Sequence, residues 1–337
     1  LRLETQRFRA YGRQNCGINL VTALPTAEAT TRSQREGDDD VRRGISLILL
    51  STALFAAMNA LVKLLSAHLS PIEIGFFRQL FSLAPVSWFL MRQGGVINLR
   101  TRRPLGHLFR GVVGNTSMIL SFLAVSWLPL ADATTLSFTS PLFVTALSVP
   151  LLGEAVGVHR WSAVAVGFLG VIVMTHPSAA WFNQGAGKGA AMGLMAGFMS
   201  ALMMITIRQM SRTEQPVTIV FYFALIGSLV FGALLPFFWT GPTGWEWAGL
   251  GAIGLVGGLS QLLMTQAYRH APAAVLAPFS YVSIVFSTAF GFAIWRDLPG
   301  PRVVTGAAIV ISSGLYIIYR EARRQARLRS QPLEGVG

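Results

Sequence analysis

Charge is scarce in this chain. Only 12% of its 337 residues are Asp, Glu, Lys or Arg, while 53% are hydrophobic; soluble domains carry roughly one quarter charged residues. That balance excludes an ordinary soluble globular protein. Cysteine is nearly missing too: the single Cys16 excludes a disulfide framework and a thiolate metal cluster. The five histidines (His68, His107, His159, His176, His270) are far apart in sequence, and no H-E-x-x-H, P-loop or G-x-S-x-G occurs. No enzyme motif, resident metal or cofactor is therefore called for. Paired acids deep in the apolar runs are also lacking, which makes simple proton coupling less obvious.

What is abundant is apolar sequence in long pieces. Ten runs follow one another over 44–65, 71–91, 106–127, 132–152, 158–176, 188–208, 216–238, 246–267, 273–294 and 302–320. Each is near the ~20 residues that cross a hydrocarbon core as a helix. Transmembrane barrels would instead alternate apolar and polar residues over ~10-residue strands, and that alternation is absent. The expected fold class is an all-α polytopic membrane protein with ten transmembrane helices.

The net charge of +13 does not signal nucleic acid. Arginines crowd the flank before the first run (Arg42, Arg43), the second connection (Arg92, Arg100, Arg102, Arg103, Arg110) and the C-terminal end (Arg320, Arg323, Arg324, Arg327, Arg329), while the first, third and seventh connections carry no Lys or Arg. Basic residues are retained on the cytoplasmic side, so both termini are expected there, in a bacterial-type inner membrane. Residues 1–43 and 321–337 read as basic cytoplasmic tails, the first disordered.

The runs repeat. Gly44 to Leu80 aligns with Gly189 to Leu225 at an offset of 145 without a gap, matching Lys63 with Arg208, Ser66 with Ser211 and Pro71 with Pro216. From Gly111 onward an offset of 143 matches Gly114 with Gly257, Ser117 with Ser260, Pro129 with Pro272, Ser137 with Ser280, Ser140 with Ser283, Glu154 with Asp297 and Gly157 with Gly300. Shared Pro, Gly, Ser and acidic positions in constant register point to duplication, with copies over 44–176 and 188–320. An odd number of crossings per copy inserts the second copy upside down, the design of carriers that alternate access around a midplane site.

These residues carry a resemblance. "NALVKLLSAHLSPIEIGFFRQL", "LADATTLSFTSPLFVTALSVPLLGEAVGVHRWSAVAVGFLGVIVM" and the duplicated layout resemble the drug/metabolite transporter superfamily, EamA type. The matching signatures are Lys63 late in the first run, Arg78 in the second, and Gly153-Glu154 closing the fourth; the second copy keeps Arg208 but has Phe223 opposite Arg78 and Arg296-Asp297 in place of Gly-Glu. The resemblance implies a secondary transporter whose cargo is not fixed by the fold.

Arg78 lies seven residues beyond Pro71, ~10 Å into its helix. An arginine there is costly, ~2.5 kcal/mol or more on insertion scales. It therefore reads as a fixed cation facing the central cavity, or as half of a gate, with snorkelling towards the headgroups as the bland alternative. Ser70, Pro71 and Glu73 match an S-x-x-E capping box, which gives Glu73 a structural role ahead of a coupling one; Lys63 has the same two options. Asn59, Asn115, Ser137, Ser140, Gln261, Ser280, Tyr281 and Ser283 are polar groups inside apolar runs and are expected to turn inward and outline a binding cavity. For a lone Ser, back-bonding to its own helix is the plainer reading. Pro141 and Pro278 should kink the fourth and ninth runs.

The layout thus predicts a carrier of a small polar metabolite, with lipid as its other partner and no nucleic acid, and the resemblance implies a cargo like S-adenosylmethionine, riboflavin or an amino acid. Export of drugs or toxic metabolites, and a non-transporting membrane scaffold or receptor, are the alternatives. Oligomeric state does not follow from the sequence.

Overall fold

The computed structural model describes residues 27–92, 94–95, 99–153, 157–175, 185–210, 213–271 and 273–330. Cys16, Glu154 and His176 lie outside them. Among the described residues there is no strand, and ten helical spans long and apolar enough to cross a membrane overlap the ten apolar runs.

In chain order the first copy comprises α1 (Ala27–Leu65), α2 (Pro71–Arg92), α3 (Pro104–Trp127), α4 (Leu130–Ser137), α5 (Ser140–Leu152) and α6 (Val158–Thr175). The second comprises α7 (Gly185–Met210), α8 (Pro216–Leu234), α9 (Gly244–His270), α10 (Ala273–Ser280), α11 (Val282–Trp295) and α12 (Pro301–Ser330). Proline opens α2, α3, α8 and α12, where its missing N–H costs nothing and its fixed φ suits the first turn. Helix α1 begins at Ala27, within the segment expected to be disordered.

The fourth and ninth runs are each two helices in line. The chain breaks at Phe138-Thr139 between α4 and α5, and at Tyr281 between α10 and α11. Pro141 sits in the first turn of α5, so it marks the break. Pro278 lies inside α10, three residues before the corresponding break at Tyr281.

The duplication extends to backbone detail. Gly153 ends α5 at φ 64°, ψ 21°, and Arg296, 143 residues on, ends α11 at φ 60°, ψ 21°. Arg296 is the one non-glycine residue at positive φ among the described residues, and it holds a conformation glycine adopts without strain. Helices α3 and α9 likewise stop at Leu128 and Ala271, both extended, each donating its N–H to the carbonyl four residues back.

Packing follows the same pairing. Helix α2 packs on its counterpart α8, and α6 on its counterpart α12. Small residues allow the close crossings: a Cβ on Gly258 would meet Pro85 and the backbone of Ser82, and one on Gly193 would meet Leu136. Stripes of this kind replace the hydrophobic drive that is missing between helices in lipid.

Candidate functional site

A cavity of about 290 Å³ lies where the broken helices meet. Its walls come from both copies: Ser51, Phe55 and Asn59 of α1, Ser121 of α3, Thr134 and Ser137 of α4, Met264 of α9, Ser280 of α10, and Ser283 and Ser287 of α11. No charged side chain of the described residues lines it. Several hydroxyls spend their proton on the protein. Ser51 donates to the Ser260 carbonyl at 2.8 Å, Thr52 to Leu49 at 2.9 Å, and Ser137 to Thr134 at 2.6 Å. Thr134 Oγ1 bonds Ser287 Oγ across the two copies at 2.8 Å. A hydroxyl whose hydrogen is committed presents its lone pairs, so the lining is rich in acceptors.

At the breaks, the Phe138 and Tyr281 rings pack at a tilt of 33°, with centroids 4.5 Å apart. Phe138 also lines the cavity. Of the residues singled out from sequence, Asn59, Ser137, Ser280 and Ser283 are brought together on the cavity wall. Tyr281 packs behind it against Phe138; Ser140 and Gln261 are half-buried in α5 and α9, off the wall. The polar wall residues missed from sequence are Ser51, Thr52, Ser121, Thr134 and Ser287. A Ser-Thr doublet in the first apolar run was a usable signal.

Arg78 and Asn115 belong to a second constellation. Arg78 is 6% exposed, so it does not snorkel, and it does not line the cavity. Its Nη1 donates to Gln79 Oε1 at 2.7 Å; Gln79 Nε2 donates to Asn115 Oδ1, and Asn115 Nδ2 reaches the carbonyls of Gly111 at 2.7 Å and Phe223 at 3.2 Å. The Arg78 guanidinium carbon lies 5.8 Å from the centroid of the Phe223 ring, and that of Arg110 lies 4.6 Å from it. Arg110, grouped above with the loop arginines, is in fact 2% exposed inside α3. Its position less than two turns past the helix start hid it among the basic residues of the connection.

Lys63 closes one end of the bundle. Its Nζ donates to the Leu128 carbonyl at 2.9 Å, lies 3.5 Å from Asp297 Oδ2 and sits 4.8 Å from the Trp295 ring centroid. It thereby ties the end of α1 to the ends of α3 and α11. Glu73 is fully buried but forms only half of the expected capping box: its N–H reaches Ser70 Oγ at 3.1 Å, while its carboxylate turns to the N–H and hydroxyl of Thr240. A complete box forms instead at Thr243 and Glu246, which start α9.

At the other end, Glu214 accepts from the Arg102 N–H at 3.0 Å and the Thr101 hydroxyl at 2.9 Å, with His107 Nε2 at 3.7 Å. Burial works against this carboxylate, but those donors outweigh it and hold its pKa below the ordinary glutamate value. No group of three or more His, Cys, Asp or Glu side chains able to hold a metal occurs among the described residues.

Comparison with known proteins bears on the family and the fold. The family model described as "EamA-like transporter family" matches residues 42–176 and again 187–320. The chain is 33% identical over 277 residues to the pseudopaline exporter CntI of Pseudomonas aeruginosa, covering 81% of this chain and 95% of that one. It is 30% identical over 290 residues to an S-adenosylmethionine uptake transporter of Rickettsia felis, covering 84% and 95%. A crystal structure superposes at a TM-score of 0.59 with 19% identity, over 85% of this chain and 99% of that one, which concerns the fold alone.

Proposed function

The chain belongs to the EamA-like transporter family, and from that premise we propose that it carries a small metabolite bearing amino or other cationic groups, bound in the hydroxyl-lined cavity. Membership makes it a secondary transporter of small metabolites in a membrane. Transporters of this family are generally not enzymes.

The observation that carries the cargo class is the wall itself. It is uncharged, shared by both copies, and offers hydroxyl lone pairs and the Phe55 and Phe138 rings. Such a wall accepts from N–H donors and supports cations through ring faces. At about 290 Å³ it is at the small end of the ~300–1,000 Å³ range of ligand pockets. S-adenosylmethionine-like and amino-acid-like cargoes fit that chemistry, and one relative is an S-adenosylmethionine carrier by name. Riboflavin, aromatic and uncharged, fits the acceptors less well.

Movement follows from the duplication. Copies over 44–176 and 188–320, each crossing five times, would be inverted with respect to one another, with both termini cytoplasmic in the bacterial inner membrane. Exchanging their conformations moves the opening from one side of the cavity to the other. Lys63 and Asp297 then act as an outer latch, closed in this conformation. A second reading, export, is favoured by the 33% identity to an exporter.

The test is counterflow by the purified protein in liposomes preloaded in turn with S-adenosylmethionine, riboflavin, amino acids and nucleotides. Label accumulation driven by S-adenosylmethionine or an amino acid is the expected result. Accumulation driven only by riboflavin or nucleotides would overturn the cargo class, and none with folded protein would favour the scaffold.

A further inference from the structure

Two guanidiniums are buried with no ion pair to a carboxylate among the described residues. Arg78 is 6% and Arg110 2% exposed, and Arg78 Nε, Arg110 Nε and Arg110 Nη1 are buried with no hydrogen-bond partner. Acids of the described residues have other partners: Glu73 bonds Thr240 through Oε2, with its Oε1 left without a hydrogen-bond partner, Glu246 bonds Thr243, Asp297 faces Lys63, and Glu214 accepts from Arg102 and Thr101. Asp132 lies in the field of Lys63.

One aromatic ring, Phe223, lies under both cations. A ring face softens a cation's loss of water but leaves its in-plane N–H groups unfilled. Two like charges behind one ring, with three open donor atoms, remain unfavourable until an acceptor of negative charge enters. Arginine's planar donors suit carboxylate oxygens in particular.

The surroundings can admit such a group. Gly257 leaves the side of Arg78 bare: a Cβ there would lie 3.3 Å from Arg78 Nε and closer still to Met58 Sδ. Met203 borders the other side, by Gly114 and Phe223. Thioether side chains have three rotatable bonds and shift readily. Met58, the flexible side chain on that flank, precedes Asn59, whose residue lines the cavity.

We propose that Arg78 and Arg110 together form a binding site for a carboxylate-sized monoanion. On the carrier reading above, that anion is either the cargo's own carboxylate or a free inorganic ion. The first source would make the cargo a zwitterion, its cationic part against the hydroxyls and its carboxylate on the arginine pair.

The test uses the full chain in detergent and does not depend on transport. Melting temperature is followed as sodium acetate or sodium chloride replaces sodium gluconate at constant ionic strength. A saturating rise with acetate in the wild type, abolished in both Arg110→Met and Arg78→Gln, is expected. A rise with acetate but not chloride assigns the cargo carboxylate; an equal rise with both assigns a free anion. A linear, non-saturating change in the wild type overturns the site even where a variant fails to fold, and so does a saturating rise that survives in both variants.

Discussion

Arg78 and Phe223 occupy the same position in the two copies of the repeat, and they touch, guanidinium carbon to ring centroid 5.8 Å. Phe138 and Tyr281 are a second such pair, with ring centroids 4.5 Å apart. A position that contacts its own counterpart lies beside the axis relating the copies. In the inverted arrangement proposed here that axis runs in the membrane plane at mid-depth. The chain has thus placed its costliest side chain and the wall of its cavity along one line, and broken the symmetry there by pairing a cation with a phenyl ring.

Arg78→Gln should therefore leave the fold intact and lower counterflow by about tenfold or more, equivalent to roughly 1.4 kcal/mol of lost interaction with the moving cargo. Arg78→Lys keeps the charge and loses the planar fork, so it should retain part of the rate. Initial rates for protein of equal monodispersity measure this. Wild-type rates for Arg78→Gln would make the residue structural.

Tyr281 has a buried hydroxyl without a hydrogen-bond partner, while its ring supports Phe138. Removing an unsatisfied polar atom is neutral to stabilising, so Tyr281→Phe should hold or raise the melting temperature. Tyr281→Ala removes the ring packed against Phe138 and should destabilise by about 3 kcal/mol. The signature is the opposite direction of the two changes.

Much of this was legible in the sequence because lipid is a demanding solvent. Ten spans followed from run length, and the two copies from Pro, Gly and Ser held in register. Four wall residues, Asn59, Ser137, Ser280 and Ser283, could be named because a polar side chain in an apolar run has to face inward. Depth was harder to read. Arg110 looked like a loop residue because it lies within two turns of a basic connection, and only the packing of α3 on α8 shows it buried. Glu73 fitted a capping motif, yet its carboxylate turned to Thr240, a partner 167 residues away that no local pattern signals.

The Lys63–Asp297 contact is a modest source of stability, because the Asp297 side chain is 42% exposed and solvent screens it to about 0–1 kcal/mol. Its effect should appear in conformation instead. Asp297→Asn is expected to increase thiol labelling of a cysteine placed at Ser137 from the Lys63 side, with little change in melting temperature. Unchanged labelling would remove the latch from the transport cycle.

Gly258 is a site where packing leaves no choice. A Cβ there would meet Ser82 backbone and the Pro85 ring, neither of which can rotate aside. Gly258→Val should push α2 from α9 and cost about 1–3 kcal/mol, as overpacking does. Gly251, which has open space around it, is the control: Gly251→Ala should be neutral or slightly stabilising through helix propensity. Denaturation midpoints in detergent would separate the two.

Glu214 sets the acid side of stability. Its pKa is lower in the folded chain than in the unfolded one, so the unfolded state takes up its proton first as pH falls. The stabilisation is fully present above the unfolded value, ~4.3 for a free glutamate, and is lost progressively as pH drops through the folded one. Melting temperature measured from pH 7 downward should accordingly hold until the unfolded carboxylate begins to titrate and then decline. Glu214→Gln should start lower at neutral pH and show a shallower acid decline, because the amide can still accept from Arg102 and Thr101 but no longer titrates. An acid limb of equal depth in the variant would assign the loss to other carboxylates and leave Glu214 as a neutral loop anchor.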